Sequence, residues 1–381
     1  MCGSVTYVAT TPAIVAAGLV GGPRRSASIS TTPQHRGKLD PVRIGLLTSG
    51  GDCPGLNAVI RGAVMKGDRI YGHTFLGIKD GWRGLVENDI VDLPRHDVRG
   101  LSRQGGTILG TSRTSPFEHG GSARVKEVMA AHDMDAVIAI GGEGTLTVAK
   151  MLHEDGIKIV GVPKTIDNDL SATDYTFGFD TSVSIATESI DRLRTTGESH
   201  HRCMVVEVMG RHVGWIALHA GLASGAHAIL IPEVHVTMDE IVGWVEMARE
   251  RGRAPVVVVA EGFVPEGGTE AVALRGVDAF GRPRLGGIGD HLAVELQERT
   301  GIETRSTVLG HLQRGGVPTS FDRVLATRFG AAAVDAVKNS EWGTMVSLSG
   351  IDVSTVPLHR ATKTLKTVPR HRYDEAAILF G

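Results

Sequence analysis

The stretch Val162-Pro163-Lys164-Thr165-Ile166-Asp167-Asn168-Asp169-Leu170 decides how this chain is read. It continues an apolar run at 157–162 that has the character of a buried parallel strand. Open α/β sheets bind their ligands beyond the carboxyl ends of such strands. Asp167 and Asp169 stand two residues apart at that end. One carboxylate can take a proton from an attacking hydroxyl while the other orients a backbone group or a metal-bound water. An Asx-rich turn without chemistry has the same local composition, because Asp and Asn bond their own backbone in loops. The surrounding motifs separate the two readings.

Upstream, an apolar run at 42–48 leads into Ser49-Gly50-Gly51-Asp52-Cys53-Pro54-Gly55-Leu56-Asn57 and a helical stretch from Ala58. Adjacent glycines let backbone N–H groups approach a phosphate, and the helix N-terminus that follows favours negative charge. Gly105-Gly106-Thr107-Ile108-Leu109-Gly110-Thr111-Ser112-Arg113 offers a second such turn, with a guanidinium fork suited to phosphate oxygens. The third is Ala136-Val137-Ile138-Ala139-Ile140, turned by Gly141-Gly142-Glu143-Gly144-Thr145 into a helix beginning near Leu146. There Glu143 can face magnesium, which takes one or two carboxylates with phosphate oxygens. Three glycine turns and one acidic turn at strand ends point to a doubly wound α/β sheet handling phosphates.

The alternation continues downstream. A strand at 204–208 ends in Met209-Gly210-Arg211-His212-Val213-Gly214-Trp215, and another at 256–260 ends in Glu261-Gly262. Thr307-Val308-Leu309-Gly310-His311-Leu312-Gln313-Arg314-Gly315-Gly316 adds an imidazole, an amide and a cation. Arg202, Arg211, Arg305 and Arg314 together suit a phosphorylated substrate, since guanidinium pairs with phosphate bidentately. His200 and His201 read as polar loop residues.

Composition sets the outer limits. At 381 residues, 41% hydrophobic and 22% charged, the chain can bury a large core and is long enough for two domains. A net charge of −2 argues against a nucleic-acid surface of the usual basic kind. Cys2, Cys53 and Cys203 lie far apart without metal-ligand spacing, so a reducing compartment without zinc is expected. Residues 1–40 carry Arg24, Arg25, Arg36 and Lys38 but only one acid, Asp40, and read as a flexible N-terminal extension. Their apolar patch at 13–20 is too short to span a bilayer.

These motifs together resemble the 6-phosphofructokinase family. TSGGDCPGLNAVIRG (48–62), GGTILGTSR (105–113), IGGEGT (140–145), PKTIDND (163–169), EVMGRHVGW (207–215), AEG (260–262) and LGHLQRGG (309–316) occur in the family's order and approximate spacing. Within that family the chain is most similar to the actinobacterial, mixed-substrate type, which pairs GGEGT with PKTIDND and has a C-terminal segment like 372–381.

The resemblance implies ATP-dependent phosphorylation of the C1 hydroxyl of fructose 6-phosphate to fructose 1,6-bisphosphate, a glycolytic step of the cytoplasm. Carried over by motif, Asp167 is the general base, with Thr165, Asp169 and Arg211 supporting the transfer. Gly51, Arg113, Thr114, Gly142, Glu143, Gly144 and Thr145 hold the donor, with Glu143 at Mg²⁺ where many relatives have Asp. Met209, Gly210, Arg211, Glu261, His311 and Arg314 hold the sugar phosphate. Arg202 and Arg305 match arginines that reach a neighbouring subunit's site, implying a homotetramer or homodimer with no nucleic-acid or membrane partner.

Two residues bear on the donor. In the family, glycine at the position of Gly144 leaves room for the α-phosphate and nucleoside of ATP, whereas pyrophosphate users carry Asp there. Lys164 stands where pyrophosphate users tend to carry Lys and ATP users of the best-known bacterial type carry Gly. A steric block forbids a ligand while an added cation merely favours charge, so ATP is the expected donor. A pyrophosphate-dependent enzyme and a non-catalytic nucleotide-sensing relative are the alternatives. Arg61 matches one arginine of the family's bacterial effector site, but Met65 replaces another, and no effector is assigned.

The expected fold is two Rossmann-like three-layer α/β domains with mainly parallel sheets, the phosphofructokinase fold. The donor domain is drawn at 41–180 plus 312–345, and the fructose 6-phosphate domain at 181–311 plus 346–381.

Overall fold

The computed structural model describes residues 41–267, 272–277 and 283–381, so the extension at 1–40 lies outside the described residues. The chain opens as β1 (Arg43–Ser49), α1 (Leu56–Lys66), β2 (Thr74–Ile78), α2 (Trp82–Glu87), β3 (Ile90–Asp92), α3 (Gly121–Ala131), β4 (Ala136–Gly141), α4 (Glu143–Glu154) and β5 (Ile159–Pro163). Helix α5 (Phe179–His200) leads to β6 (Cys203–Val208), α6 (Trp215–Ser224), β7 (Ala228–Leu230), α7 (Met238–Glu250), β8 (Val256–Ala260), β9 (Val272–Val277), β10 (Pro283–Leu285), α8 (Ile288–Thr300) and β11 (Thr304–Val308). Then come α9 (Ser320–Lys338), β12 (Thr344–Ser349), β13 (Asp352–Pro357), α10 (Leu358–Ala361) and α11 (Arg370–Ala377).

Uniform apolar runs place the central strands where both faces are covered, as parallel sheets require. Every residue of β4 and β5 is buried. The larger sheet has the order β13-β12-β5-β4-β1-β2-β3, parallel except at its two edges, where β3 and β13 run antiparallel. The second sheet is parallel throughout, in the order β11-β6-β8-β7. A separate two-stranded ribbon pairs β9 with β10.

Register brings the motifs together. Ser49 pairs with Gly141, and Gly141 with Pro163, so the turns after β1, β4 and β5 leave the sheet side by side. On the second sheet Val208 pairs with Ala260 and Glu207 with Val308, which aligns the turns carrying Met209, Glu261 and His311. One buried cluster runs through both sheets, from Ile44, Ile138 and Val160 to Val205, Val206 and Val258.

Close helix packing depends on glycine at one crossing. A Cβ at Gly62 in α1 would stand 2.5 Å from the Thr327 carbonyl oxygen in α9, and one at Gly330 would collide with the Val59 carbonyl. Among the described residues no helix is long and apolar enough to cross a membrane.

Some boundaries differ from the sequence reading. Helix α4 starts at Glu143, not near Leu146, because Gly142 serves as N-cap and Glu143 enters the first turn, where a carboxylate favours the helix dipole. The glycine at 144 disguises that turn in the sequence. The chain also returns to the larger sheet over 344–357, past the 345 at which the sequence reading handed it to the other domain. Strand β13, half-exposed and polar at alternate positions, lacks the uniform apolar signal of its neighbours.

Candidate active site

At the end of β5 the acidic turn is held by its own side chains. The Thr165 hydroxyl accepts the Asp167 N–H at 3.1 Å, and the Thr165 carbonyl accepts the Thr176 hydroxyl at 2.7 Å. Asn168 takes a left-handed conformation at φ 52° and turns its buried amide away from the cleft, where Oδ1 accepts the Thr176 N–H at 3.1 Å. Asp167 and Asp169, on either side of it, both line the cleft. Burial, then the Asp169 charge, pushes Asp167 up to about 6, against the pull of Arg314 and Lys164. Its Oδ1 atom is enclosed without a hydrogen-bond partner in the protein.

The wall built by the larger sheet contains Gly51, Arg113, Thr114 and the turn Gly142, Glu143, Gly144 and Thr145. The Gly50 N–H donates to the Ser112 carbonyl at 2.9 Å and the Thr111 hydroxyl to the Gly50 carbonyl at 2.6 Å, which zips the first glycine turn to the second. Lys164 also lines the cleft, largely buried, with its ammonium donating to the Gly51 carbonyl. Burial pulls its ammonium below the ordinary lysine value. Beyond its chain neighbours and the backbone of its own helix, no heavy atom lies within 4 Å of a Cβ placed on Gly144.

The second sheet supplies Met209, Arg211, Glu261, His311 and Arg314. Gly210, at φ 146°, makes the sharp turn between Met209 and Arg211, where a Cβ would stand 2.6 Å from the Val213 carbonyl oxygen. The buried Gln313 amide accepts the Met209 N–H at 3.3 Å. Burial, with Asp167 and Glu207 next, pushes Glu261 up to about 7, while Arg211 opposes the shift. Between the walls is a cleft of about 740 Å³.

The structure therefore brings the site residues singled out in the sequence to one cleft, except Gly210, which shapes the turn between Met209 and Arg211, and two arginines. Arg202, at the start of β6, pairs with Glu303 at 2.9 Å, and Arg305, in edge strand β11, pairs with the same carboxylate. Neither lines the cleft of its own chain. Ser49, Gly50, Trp82, Ser115, Val148 and His212 also line it and were not singled out as site residues. Ser49, Gly50 and His212 lie inside quoted motifs and Ser115 and Val148 just beyond one, whereas Trp82, outside every motif, gave no signal.

A cation fits one position by its donor chemistry. Glu143 projects into the cleft from the first turn of α4. Among the described residues no three His, Cys, Asp or Glu side chains cluster to cage a metal. One carboxylate beside a phosphate cradle suits Mg²⁺, which completes its shell with phosphate oxygens and water.

Two α/β sheets, glycine turns for phosphate on one wall, cations on the other and a buried carboxylate between them define a phosphotransferase acting on a phosphorylated acceptor. The family model described as phosphofructokinase matches residues 43–337. A pyrophosphate-fructose 6-phosphate 1-phosphotransferase of Amycolatopsis mediterranei is 60% identical over 341 residues, 89% of this chain and 100% of that one. ATP-dependent 6-phosphofructokinase 3 of Streptomyces coelicolor is 52% identical over 338 residues, 88% of this chain and 99% of that one. Among solved structures, the T-state phosphofructokinase of Pichia pastoris superposes with a TM-score of 0.75 at 32% identity, over 90% of this chain and 36% of that chain. The chain belongs to the phosphofructokinase family.

Proposed function

We propose that this phosphofructokinase uses Mg-ATP to phosphorylate the C1 hydroxyl of fructose 6-phosphate, a glycolytic reaction of a reducing, cytoplasmic compartment. The placement of Asp167 carries the chemistry. Its carboxylate lies in the cleft between the two walls with one oxygen unpartnered. The C1 hydroxyl gives its proton to the cleft-facing part of this carboxylate as the new O–P bond forms and the bond between the γ-phosphorus and the β-phosphate oxygen breaks, releasing ADP. Thr165 and Asp169 fix the turn, and Arg211 stabilises charge on the transferring group.

Gly51, Arg113, Thr114, Gly142 and Thr145 hold the donor phosphates, and Glu143 would hold Mg²⁺, which neutralises charge on the phosphoryl oxygens when bound. Met209, Arg211, Glu261, His311 and Arg314 hold the sugar phosphate, with Gly210 shaping their turn. Arg202 and Arg305 serve the neighbouring subunit's sugar-phosphate site in a homotetramer or homodimer. Their position away from their own cleft is in keeping with that role. The donor sits largely on the wall of the larger sheet and the sugar phosphate largely on that of the second.

ATP is favoured by the open space at Gly144, continued by Val148 one turn further along α4. This half-buried apolar residue would stay uncovered by pyrophosphate. The second reading, pyrophosphate as donor, is favoured by the buried Lys164 and by the relative at 60% identity whose name states that donor. Formation of fructose 1,6-bisphosphate from fructose 6-phosphate and Mg²⁺, with ATP and pyrophosphate supplied in parallel, separates them. Turnover with ATP alone supports the first reading, and turnover with pyrophosphate alone replaces it with the second. Silence with both returns the chain to a non-catalytic, nucleotide-sensing role.

A further inference from the structure

The acidic turn is held from behind by a segment that no motif marks. Residues 365–368, between α10 and α11, cross under the turn and tie it to the opposite wall. Leu365 pairs with Leu170 in an isolated antiparallel bridge, and the Lys366 N–H donates to the Asp169 carbonyl at 2.8 Å. The Lys366 carbonyl in turn accepts the indole N–H of Trp215, first residue of α6, at 2.7 Å. Two residues on, the Val368 N–H donates to Glu233 at 2.9 Å, and Glu233 also accepts the N–H of Gly214.

The side chain of Lys366 completes the tie. Its ammonium donates to Asn168 Oδ1 at 2.9 Å, to the Thr173 carbonyl at 3.0 Å and to the Asp174 carbonyl at 2.7 Å. An ammonium has three donors, and here each has an oxygen. The Trp215 ring lies 5.8 Å away, a cation–π distance. Burial pulls this ammonium down to about 8, against the pull of Asp174 and Asp169, so the three oxygens and the ring offset a real desolvation penalty. A charge placed only to keep the surface soluble would be solvated instead.

We propose that Lys366 is a positioning residue for phosphoryl transfer: it locks Asn168 in its left-handed conformation, which holds Asp167 and Asp169 toward the cleft, and the strap around it sets the acidic turn against the Met209–Trp215 wall. The assignment rests on Asp167 acting as the base. Asn168 tolerates φ 52° better than most residues, and two partners on its side-chain oxygen hold it there. Thr176 supplies one from within the loop, and Lys366 supplies the other from outside it. An error near 1 Å in placing a reacting group costs as much as about 100-fold in rate, so loss of the outer partner registers in turnover.

The test uses the full chain with Lys366→Met, which keeps an unbranched apolar stem of nearly the same length and removes the charge. Trp215→Phe, which keeps an aromatic ring and removes the indole N–H, serves as a second, gentler variant if the first does not fold. The readouts are kcat and KM for fructose 6-phosphate, the melting temperature, and hydrogen–deuterium exchange resolved by segment. The expected result is a kcat lower by roughly 10- to 100-fold with KM changed far less. Faster exchange should be confined to 165–176 and the start of α6, with a melting temperature close to that of the parent. Unchanged kcat and exchange overturn the proposal, as does a loss of protection spread evenly over both sheets, which would make Lys366 a general stabiliser. A parent enzyme silent with both ATP and pyrophosphate sinks the proposed function, while the exchange data still decide whether Lys366 holds the turn.

Discussion

Arg314 reaches from the second sheet's side of the cleft to donate to the carbonyl of Asp52, in the first glycine turn, at 3.1 Å. Its path runs directly over Gly51, where a Cβ would stand 2.7 Å from the guanidinium nitrogen. A methyl group there collides only with the far end of a flexible side chain, so the backbone need not move. Gly51→Ala should leave the melting temperature nearly unchanged while pushing Arg314 off its station. A charge-assisted hydrogen bond to phosphate contributes about 1.5–3 kcal/mol, so KM for fructose 6-phosphate should rise roughly tenfold or more. Steady-state kinetics beside a thermal melt decides this. An unchanged KM would mean that Arg314 does not hold the sugar phosphate.

Gly144→Asp tests the donor reading. The space around the substituted position is open, so the fold should tolerate the change, and an acid near a helix N-terminus is mildly favourable. The new carboxylate would lie where the α-phosphate and nucleoside of ATP are placed, opposing them by bulk and by like charge. KM for ATP should rise by at least about 100-fold, corresponding to about 3 kcal/mol. Kinetics with each donor in parallel measures it, and retention of the parent KM for ATP would place the nucleotide elsewhere.

The parallel core and the cleft-facing turns were legible in the sequence because their signals are local. Uniform apolar runs announce buried strands, and glycines beside one charged residue announce a turn near phosphate. Asp167, Glu143, Arg211 and Arg314 could be placed because each sits within or beside such a turn. Trp82 could not, since its buried place at the cleft depends on tertiary packing that no local motif announces. Lys366 was hidden for the same reason. Its partners Asn168 and Trp215 lie roughly 200 and 150 residues away in sequence, and a lone lysine in a polar stretch has the appearance of ordinary surface charge. The edge strand β13 was missed because an edge strand need bury only one face.

The acid limb of the rate should belong to Asp167. A general base works only as the carboxylate, and this one is pushed up to about 6. The kcat/KM for fructose 6-phosphate, which reports the free enzyme, should therefore fall about tenfold per pH unit below that value. Glu261, pushed up to about 7, adds a separate inflection. Glu261→Gln should remove the inflection near 7 and keep the one near 6. Asp167→Ser should lower kcat by about 10²- to 10⁴-fold with far less effect on KM. A parent profile flat from pH 8 down to about 5 would take the role of base away from Asp167.

Asp322 should make the fold's stability depend on pH without touching the chemistry. Fully buried in the first turn of α9, it accepts the N–H of Thr181 at 2.8 Å and its hydroxyl at 2.5 Å, tying α9 to the start of α5. Burial pushes its carboxyl up to about 6 despite those donors. The folded state thus holds a proton that the unfolded chain has already released between about pH 4 and 6. The resulting stabilisation is complete below the unfolded value and is lost as pH rises through the folded one. The window is worth on the order of 2–3 kcal/mol. Asp322→Asn removes the titration but keeps an oxygen for Thr181. The melting temperature of this variant relative to the parent should therefore rise between pH 4.5 and pH 7, while the donor preference stays that of the parent. Differential scanning calorimetry of both proteins across that range measures the trend. A constant offset would show that Asp322 is already ionised in the folded protein at pH 4.5.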